Sequence, residues 1–179
     1  LRIDEQIQAK EGVMSSYRQK VEALTKQIGA LQNGLKYSLE KARNKVTQME
    51  LKVQSDSVDF YASAKTDNQI AERQMHGIEE LYKKGLKSLT EFENARAKYQ
   101  QSLSKLQTAE NKFFTSRNEL FNAKIELNSI ESDYLDKISK AESELSSTLS
   151  YLYETEGAIS KMNNEYANMQ IRSSFYYIT

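Results

Sequence analysis

The chain has 179 residues with no proline, cysteine or tryptophan, one histidine and only six glycines, so nothing in its interior is obliged to break a helix. Its 25 basic and 25 acidic residues cancel, which removes the electrostatic footprint of a nucleic-acid binder or of a basic membrane-surface helix. No apolar run reaches about 18 residues and no signal-peptide core is present, while the lack of cysteine leaves the redox compartment open.

With no initiating methionine before Leu1, the sequence is expected to be a segment of a longer protein. From Ile7 a large apolar residue recurs every seventh position as Ile7, Met14, Val21, Ile28 and Leu35, with Tyr17, Leu24 and Leu31 between them. This is the a/d seam of a coiled coil. The stride slips by four residues, from Leu35 to Leu39, and resumes as Leu39, Val46, Val53 and Phe60 with Ala42 and Met49 between. Gly29 and Gly34 flank the slip, each costing about 1 kcal/mol of helix propensity, so a break near 29–38 competes with a favoured continuous helix. The seam then turns polar, with Asp56, Ser63, Asp67 and Gln74 on its positions. These either fix register in a partly wet seam or meet other subunits.

The stretch from Leu81 to Phe92 carries the one convincing stop-and-restart signal. Lys83 and Lys84 suit the negative end of a helix dipole, and Gly85 can take the left-handed conformation that closes a helix. Ser88 followed by Glu91 is a capping box that opens the next helix. The expected division is therefore a first arm over 1–84, a tip over 85–88 and a second arm over 89–170.

In the second arm Phe92, Tyr99, Leu106, Phe113, Leu120, Leu127 and Tyr134 alternate with the small residues Ala95, Ser102, Ala109, Ser116 and Ala123. After Tyr134 the stride again slips by four, to Ile138, and continues through Leu145, Leu152, Ile159 and Tyr166. The two slips lie equally far from the tip, which is the strongest sequence evidence for an antiparallel hairpin. At about 1.5 Å per residue each arm would span on the order of 120 to 130 Å. Pairing large with small residues favours a register with Tyr99 by Gly77, Phe113 by Ser63, Phe60 by Ser116 and Tyr134 by Ala42. A register shifted by one heptad competes with it. Phe114, Phe121 and Leu135 follow the seam by one residue, as a second apolar stripe or a broadened seam. The last residues, 171–179, are β-prone through Phe175-Tyr-Tyr-Ile178, and a strand is expected to begin there. The fold class is thus all-α, a long antiparallel two-helix coiled-coil hairpin with a short β-prone tail.

The sequence points to no catalytic, metal or cofactor site. His76 has no cysteine or second histidine to share a metal, and the glycines are scattered singly rather than grouped into a phosphate loop.

With hairpin, tip and tail in place, the chain resembles the helical hairpin of haemolysin-D-like periplasmic adaptors, also called membrane fusion proteins, of bacterial exporters. The residues that carry the resemblance are Leu81-Tyr-Lys-Lys-Gly-Leu-Lys-Ser88 with Glu91-Phe-Glu-Asn-Ala95, similar to that family's turn, and Ile171 to Thr179, similar to its return into a lipoyl-like domain. The resemblance implies a non-enzymatic structural adaptor of a tripartite exporter, of the type I secretion, bacteriocin or efflux kind, without cofactors. It implies that the tip, through Leu81 and Ser88, meets a TolC-like outer-membrane channel. Flanking domains outside this sequence would contact an inner-membrane transporter, and the protein would assemble as a homo-oligomeric ring. The implied location is the periplasm of a Gram-negative bacterium, with the full protein anchored to the inner membrane. Lys83, Lys84 and Lys87, with Gly85 shaping the turn, would favour an acidic rim on the channel. The family's arginine position, four residues before the leucine, is Gly77 here, and the nearest basic side chains are His76 and Arg73. A generic coiled-coil spacer, or a coiled-coil arm of a larger enzyme, would share the heptads but gives no reason for so defined a tip.

Overall fold

The computed structural model describes residues 2–176. They form α1 (Ile3–Ser55), a π-helical turn (Asp56–Ala62), α2 (Ser63–Lys83) and α3 (Leu89–Tyr176). The first arm and α3 pack antiparallel as an all-α hairpin, with no strand among the described residues. Helix α1 runs unbroken through Gly29 and Gly34. Helix α3 runs on to Tyr176, so the strand expected from residue 171 is not formed over 171–176; residues 177–179 lie outside the described part. An aromatic-rich segment is β-prone only where a neighbouring strand exists to pair with it. Without one, its backbone groups are satisfied by continuing the helix.

The chain divides into two compact units, one of residues up to Ser38 with those from Ile130 onward, the other Leu39–Ser129. In the first, Leu24, Ile28, Ile138, Ala141, Leu152 and Ile159 are buried, and Leu145 is half-buried. Tyr17 stacks on Tyr151 at 6.0 Å, and ion pairs Arg18–Glu156 and Lys20–Glu144 flank the seam. Gly34 is a socket rather than a break. A Cβ there would lie 3.0 Å from Tyr134 Cε1, and the Tyr134 hydroxyl accepts a hydrogen bond from Ser38 at 3.3 Å. Tyr134 therefore packs against Gly34 and Ser38, not Ala42, which corresponds to the register one heptad from the favoured one.

In the second unit the small residues hold the centre of the seam. Ala42, Ala95, Ala109, Ser116 and Ala123 are buried, whereas Leu106, Phe113, Leu120 and Leu127 are half-buried. Two helices with no third layer can enclose only what lies directly between their axes, so a long side chain overhangs the edge. The buried hydroxyl of Ser116 donates to its own helix at Phe113 O (2.9 Å), which satisfies it in an apolar seam. Lys45–Glu126, Lys52–Glu119 and Glu50–Lys124 cross between the arms on the exposed flanks. The Lys45 ammonium holds Glu126 below the usual carboxylate range.

The polar stretch of the predicted seam is resolved by the π turn. Asp56 is buried, but Ser63, Asp67 and Gln74 are exposed, and Phe60 is 47 % exposed. The residues facing α3 beyond the turn are instead Tyr61, Ala64, Asn68, Ala71, Met75 and Ile78, each one position later than the stride from Val53 requires. A π turn inserts one residue into a helix, advancing its face by about 100°. Phe113 accordingly stacks on Tyr61 (5.7 Å) rather than lying by Ser63, and Asn68 Nδ2 donates to Ser102 Oγ at 3.1 Å across the seam. Phe60 lies beneath Lys112, whose ammonium sits 3.8 Å from the ring centre, rather than by Ser116. Ser63, Asp67 and Gln74 are not on the seam, so the register-fixing role does not apply to them.

Candidate functional site

The tip joins α2 to α3 in five residues, Lys84 to Ser88. Gly85 has φ 76°, a conformation that costs little only without a Cβ. Its N–H bonds Tyr82 O at 2.9 Å and the Leu86 N–H bonds Leu81 O at 2.9 Å. These are the paired bonds of a Schellman closure, and with Lys84 N–H to Glu80 O at 3.2 Å they satisfy the carbonyls at the end of α2.

Helix α3 opens with the reciprocal capping box. Ser88 Oγ accepts from the Glu91 N–H at 3.2 Å, and Glu91 Oε2 accepts from the Ser88 N–H at 2.9 Å. Glu91 also takes the Lys87 ammonium at 3.0 Å. The Ser88 backbone bond first, then Lys87 and the Ser88 hydroxyl, lower the Glu91 carboxyl to about 2. Both helix ends are thus closed locally, and the turn needs no outside partner to be stable.

Its side chains are turned to solvent. Leu86 is 68 % exposed, Leu89 51 % and Leu81 36 %, and every residue from 81 to 91 is exposed. The last ring contact between the arms is made by Tyr82, itself 37 % exposed, stacked on Phe92 with centroids 5.5 Å apart and planes at 6°. Tyr82 is not among the residues that the sequence alone singles out at the tip. The signal that would have found it is the stripe Tyr61, Ala64, Asn68, Ala71, Met75, Ile78, which extends to Tyr82 and leaves Leu81 outside.

The lysines are not equivalent. Lys83 pairs with Glu79 at 3.2 Å, and this bond, with His76 at 3.5 Å, lowers the Glu79 carboxyl. Lys87 is held by Glu91, and Lys84 has no carboxylate partner among the described residues. Beside the tip, Ala71, Gln74, Gly77 and Ile78 face Glu91, Asn94, Ala95 and Lys98 across an open groove of about 530 Å³. A Cβ on Gly77 would meet nothing within 4 Å. Among the described residues no group of three or more acidic, histidine or cysteine side chains is placed to hold a metal ion, and no helix is long and apolar enough to cross a membrane.

No protein-family model matches the chain, and no curated protein matches it. Among solved structures it is similar to the periplasmic adaptor protein EmrA, with a TM-score of 0.74 at 20 % sequence identity over 90 % of this chain and 49 % of that one. The chain therefore spans about half the length of that structure. At this identity the similarity shows the fold: the chain folds as about half of a periplasmic adaptor does.

Proposed function

We propose that this chain is the helical hairpin of a haemolysin-D-like periplasmic adaptor in a tripartite bacterial exporter, and that its tip meets the periplasmic helix ends of a TolC-like outer-membrane channel. The observation that carries the reading is a turn with its backbone satisfied from within that nevertheless exposes Leu81, Leu86 and Leu89. An isolated turn has no need of three outward leucines, whereas a docking end has. The similarity to EmrA supports an adaptor fold around that tip. On this reading Ser88 and Gly85 shape the turn, the leucines make the apolar contact, and Lys84 carries the charge available to an acidic rim. Lys83 and Lys87 assist only by exchanging partners. Flanking domains, including a lipoyl-like one after residue 179, reach the inner-membrane transporter. Ring symmetry multiplies weak tip contacts through avidity. The hairpin performs no catalysis and takes no cofactor, and its place is the periplasm, tethered to the inner membrane through the rest of the protein.

The test is adaptor–channel crosslinking and export in Leu86→Asp, Ser88→Arg and a Lys83/Lys84/Lys87 triple glutamate variant, each with a melting curve. Leu86→Asp is the decisive variant, because an exposed side chain can change without loss of the fold. Loss of crosslinking and export with an unchanged melting temperature is expected. Normal crosslinking and export by folded Leu86→Asp and by the triple variant would reduce the tip to a turn.

A further inference from the structure

The π turn has a consequence that reaches the tip. Between Val53 and the end of α2 two stripes compete for the seam. The stripe that an unbroken α-helix would present is Phe60, Ser63, Asp67, Ile70, Gln74, Gly77 and Leu81. The one presented is Tyr61, Ala64, Asn68, Ala71, Met75, Ile78 and Tyr82. The first would bury a carboxylate and an amide at Asp67 and Gln74. The second half-buries two alanines, a methionine and an isoleucine, and its one buried amide, Asn68, is matched by Ser102 Oγ at 3.1 Å. The whole of α2 is therefore turned by one residue relative to α1, and the turning is done within Asp56–Ala62.

We propose that the π turn is the positioning element of the tip: by advancing the face of α2 one residue it sets Tyr82, 37 % exposed, against Phe92 at the end of the seam and leaves Leu81, 36 % exposed, off the stripe that meets α3. In an unbroken helix Leu81 would close the seam and Tyr82 would be presented instead. The outward placement of Leu81 gains its functional meaning from the docking reading above; the phase of α2 stands independently of it.

Cysteine pairs read the phase directly in this cysteine-free chain. Asn68→Cys with Ser102→Cys joins two positions whose side chains touch, whereas Asp67→Cys with Ser102→Cys places one thiol on an exposed face. A disulfide tolerates Cα separations of only about 4.4–6.8 Å, so the first pair is expected to close at least ~10-fold faster than the second. The same pairs are then placed in a chain from which Val58, 60 % exposed within the π turn, has been deleted. If the turn holds one supernumerary residue, the deletion heals it into an α-helix, and the cysteines at original positions 68 and 102 still close preferentially. Preferential closure of the 67/102 pair in the full-length chain would overturn the proposal, as would loss of the 68/102 preference after the deletion. The docking reading is separated by Leu81→Asp and Tyr82→Asp in the complete adaptor. Because Tyr82 stacks on Phe92, the proposal expects Tyr82→Asp to lower the melting temperature more than Leu81→Asp does; the reverse pattern would overturn the phase. Full channel crosslinking by Leu81→Asp, with the cysteine preferences intact, would overturn the docking role of Leu81 while leaving the phase in place.

Discussion

At the scale of single residues the tip shows how much a capping pair depends on ionisation. Glu91 is held at about 2 against an ordinary value of 4.5. Because the folded value lies below the unfolded one, its stabilisation is fully present above about 4.5 and is lost as pH falls toward about 2. Glu91→Gln is therefore expected to melt below the parent chain at neutral pH, with the difference shrinking between pH 4.5 and 2. A difference independent of pH would mean that the carboxylate charge plays no part in the cap. A second residue-level test concerns Asp56, which is 2 % exposed, with Oδ1 3.4 Å from the Lys112 ammonium and Oδ2 without a partner. Lys112→Met should destabilise by about 1–3 kcal/mol, the usual cost of leaving a buried polar group unmatched. Asp56→Leu combined with Lys112→Met should recover most of that loss, since buried ion pairs exchange for apolar contacts with little net cost. A double-mutant cycle in chemical denaturation decides it. The glycines separate in the same way. Gly29→Ala meets nothing within 4 Å and should stabilise by up to about 1 kcal/mol, whereas Gly34→Leu drives a side chain into the Tyr134 ring and should destabilise.

Among the elements, α3 carries the seam and the first arm adapts to it. The alternation of large and small residues continues through α3 without a change of phase from Phe92 to Tyr134, and the only extra residue lies opposite, in the π turn. Leu120 lies within that series, whereas Lys124 is exposed and pairs with Glu50 at 3.6 Å. Leu120→Asp should therefore cost several kcal/mol, as burial of an unpaired carboxylate does, and Lys124→Asp less than about 1 kcal/mol. Equal melting temperatures for the two variants would contradict the seam. Phe114, Phe121 and Leu135 are 51 %, 64 % and 51 % exposed, so they form an outer stripe rather than a widened seam.

For the molecule as a whole, stability rests on the seam and not on the charges that decorate it. The ion pairs between the arms join side chains that are mostly half exposed, as in Lys45–Glu126 at 53 % and 52 %, and such pairs are worth about 0–1 kcal/mol each. Raising sodium chloride to ~1 M, where the screening length is about 3 Å, should lower the melting temperature only slightly. A large fall would mean that charge pairing, rather than burial, holds the arms together. At the tip, Gly77 stands where the resembling family has arginine, and its surroundings leave room for a side chain. Gly77→Arg is expected to fold at least as stably as the parent, because glycine costs about 1 kcal/mol in a helix interior. On the proposed docking reading, Gly77→Arg in the full-length protein is expected to strengthen channel crosslinking; unchanged crosslinking would leave this position without a part in docking.

The sequence by itself determined the helices, the turn and the antiparallel arrangement. Each is written locally: seven-residue periodicity, Gly85 as the left-handed residue, and the Ser88–Glu91 pair all act within a few residues of where they stand. The seam of α3 was legible for the same reason. What only the tertiary structure decided were the pairings across the seam. Tyr134 seats on Gly34 because a ring needs the space a missing Cβ leaves, and no local preference records which glycine will face which ring. The phase of α2 was likewise hidden, because both stripes recur at helical spacing and the choice between them depends on what α3 presents opposite. A helix can admit a π turn when turning Ala64, Asn68, Ala71, Met75 and Ile78 toward α3 in place of Asp67 and Gln74 outweighs the poorer hydrogen bonding of one wide turn. That comparison exists only once the second helix is beside the first.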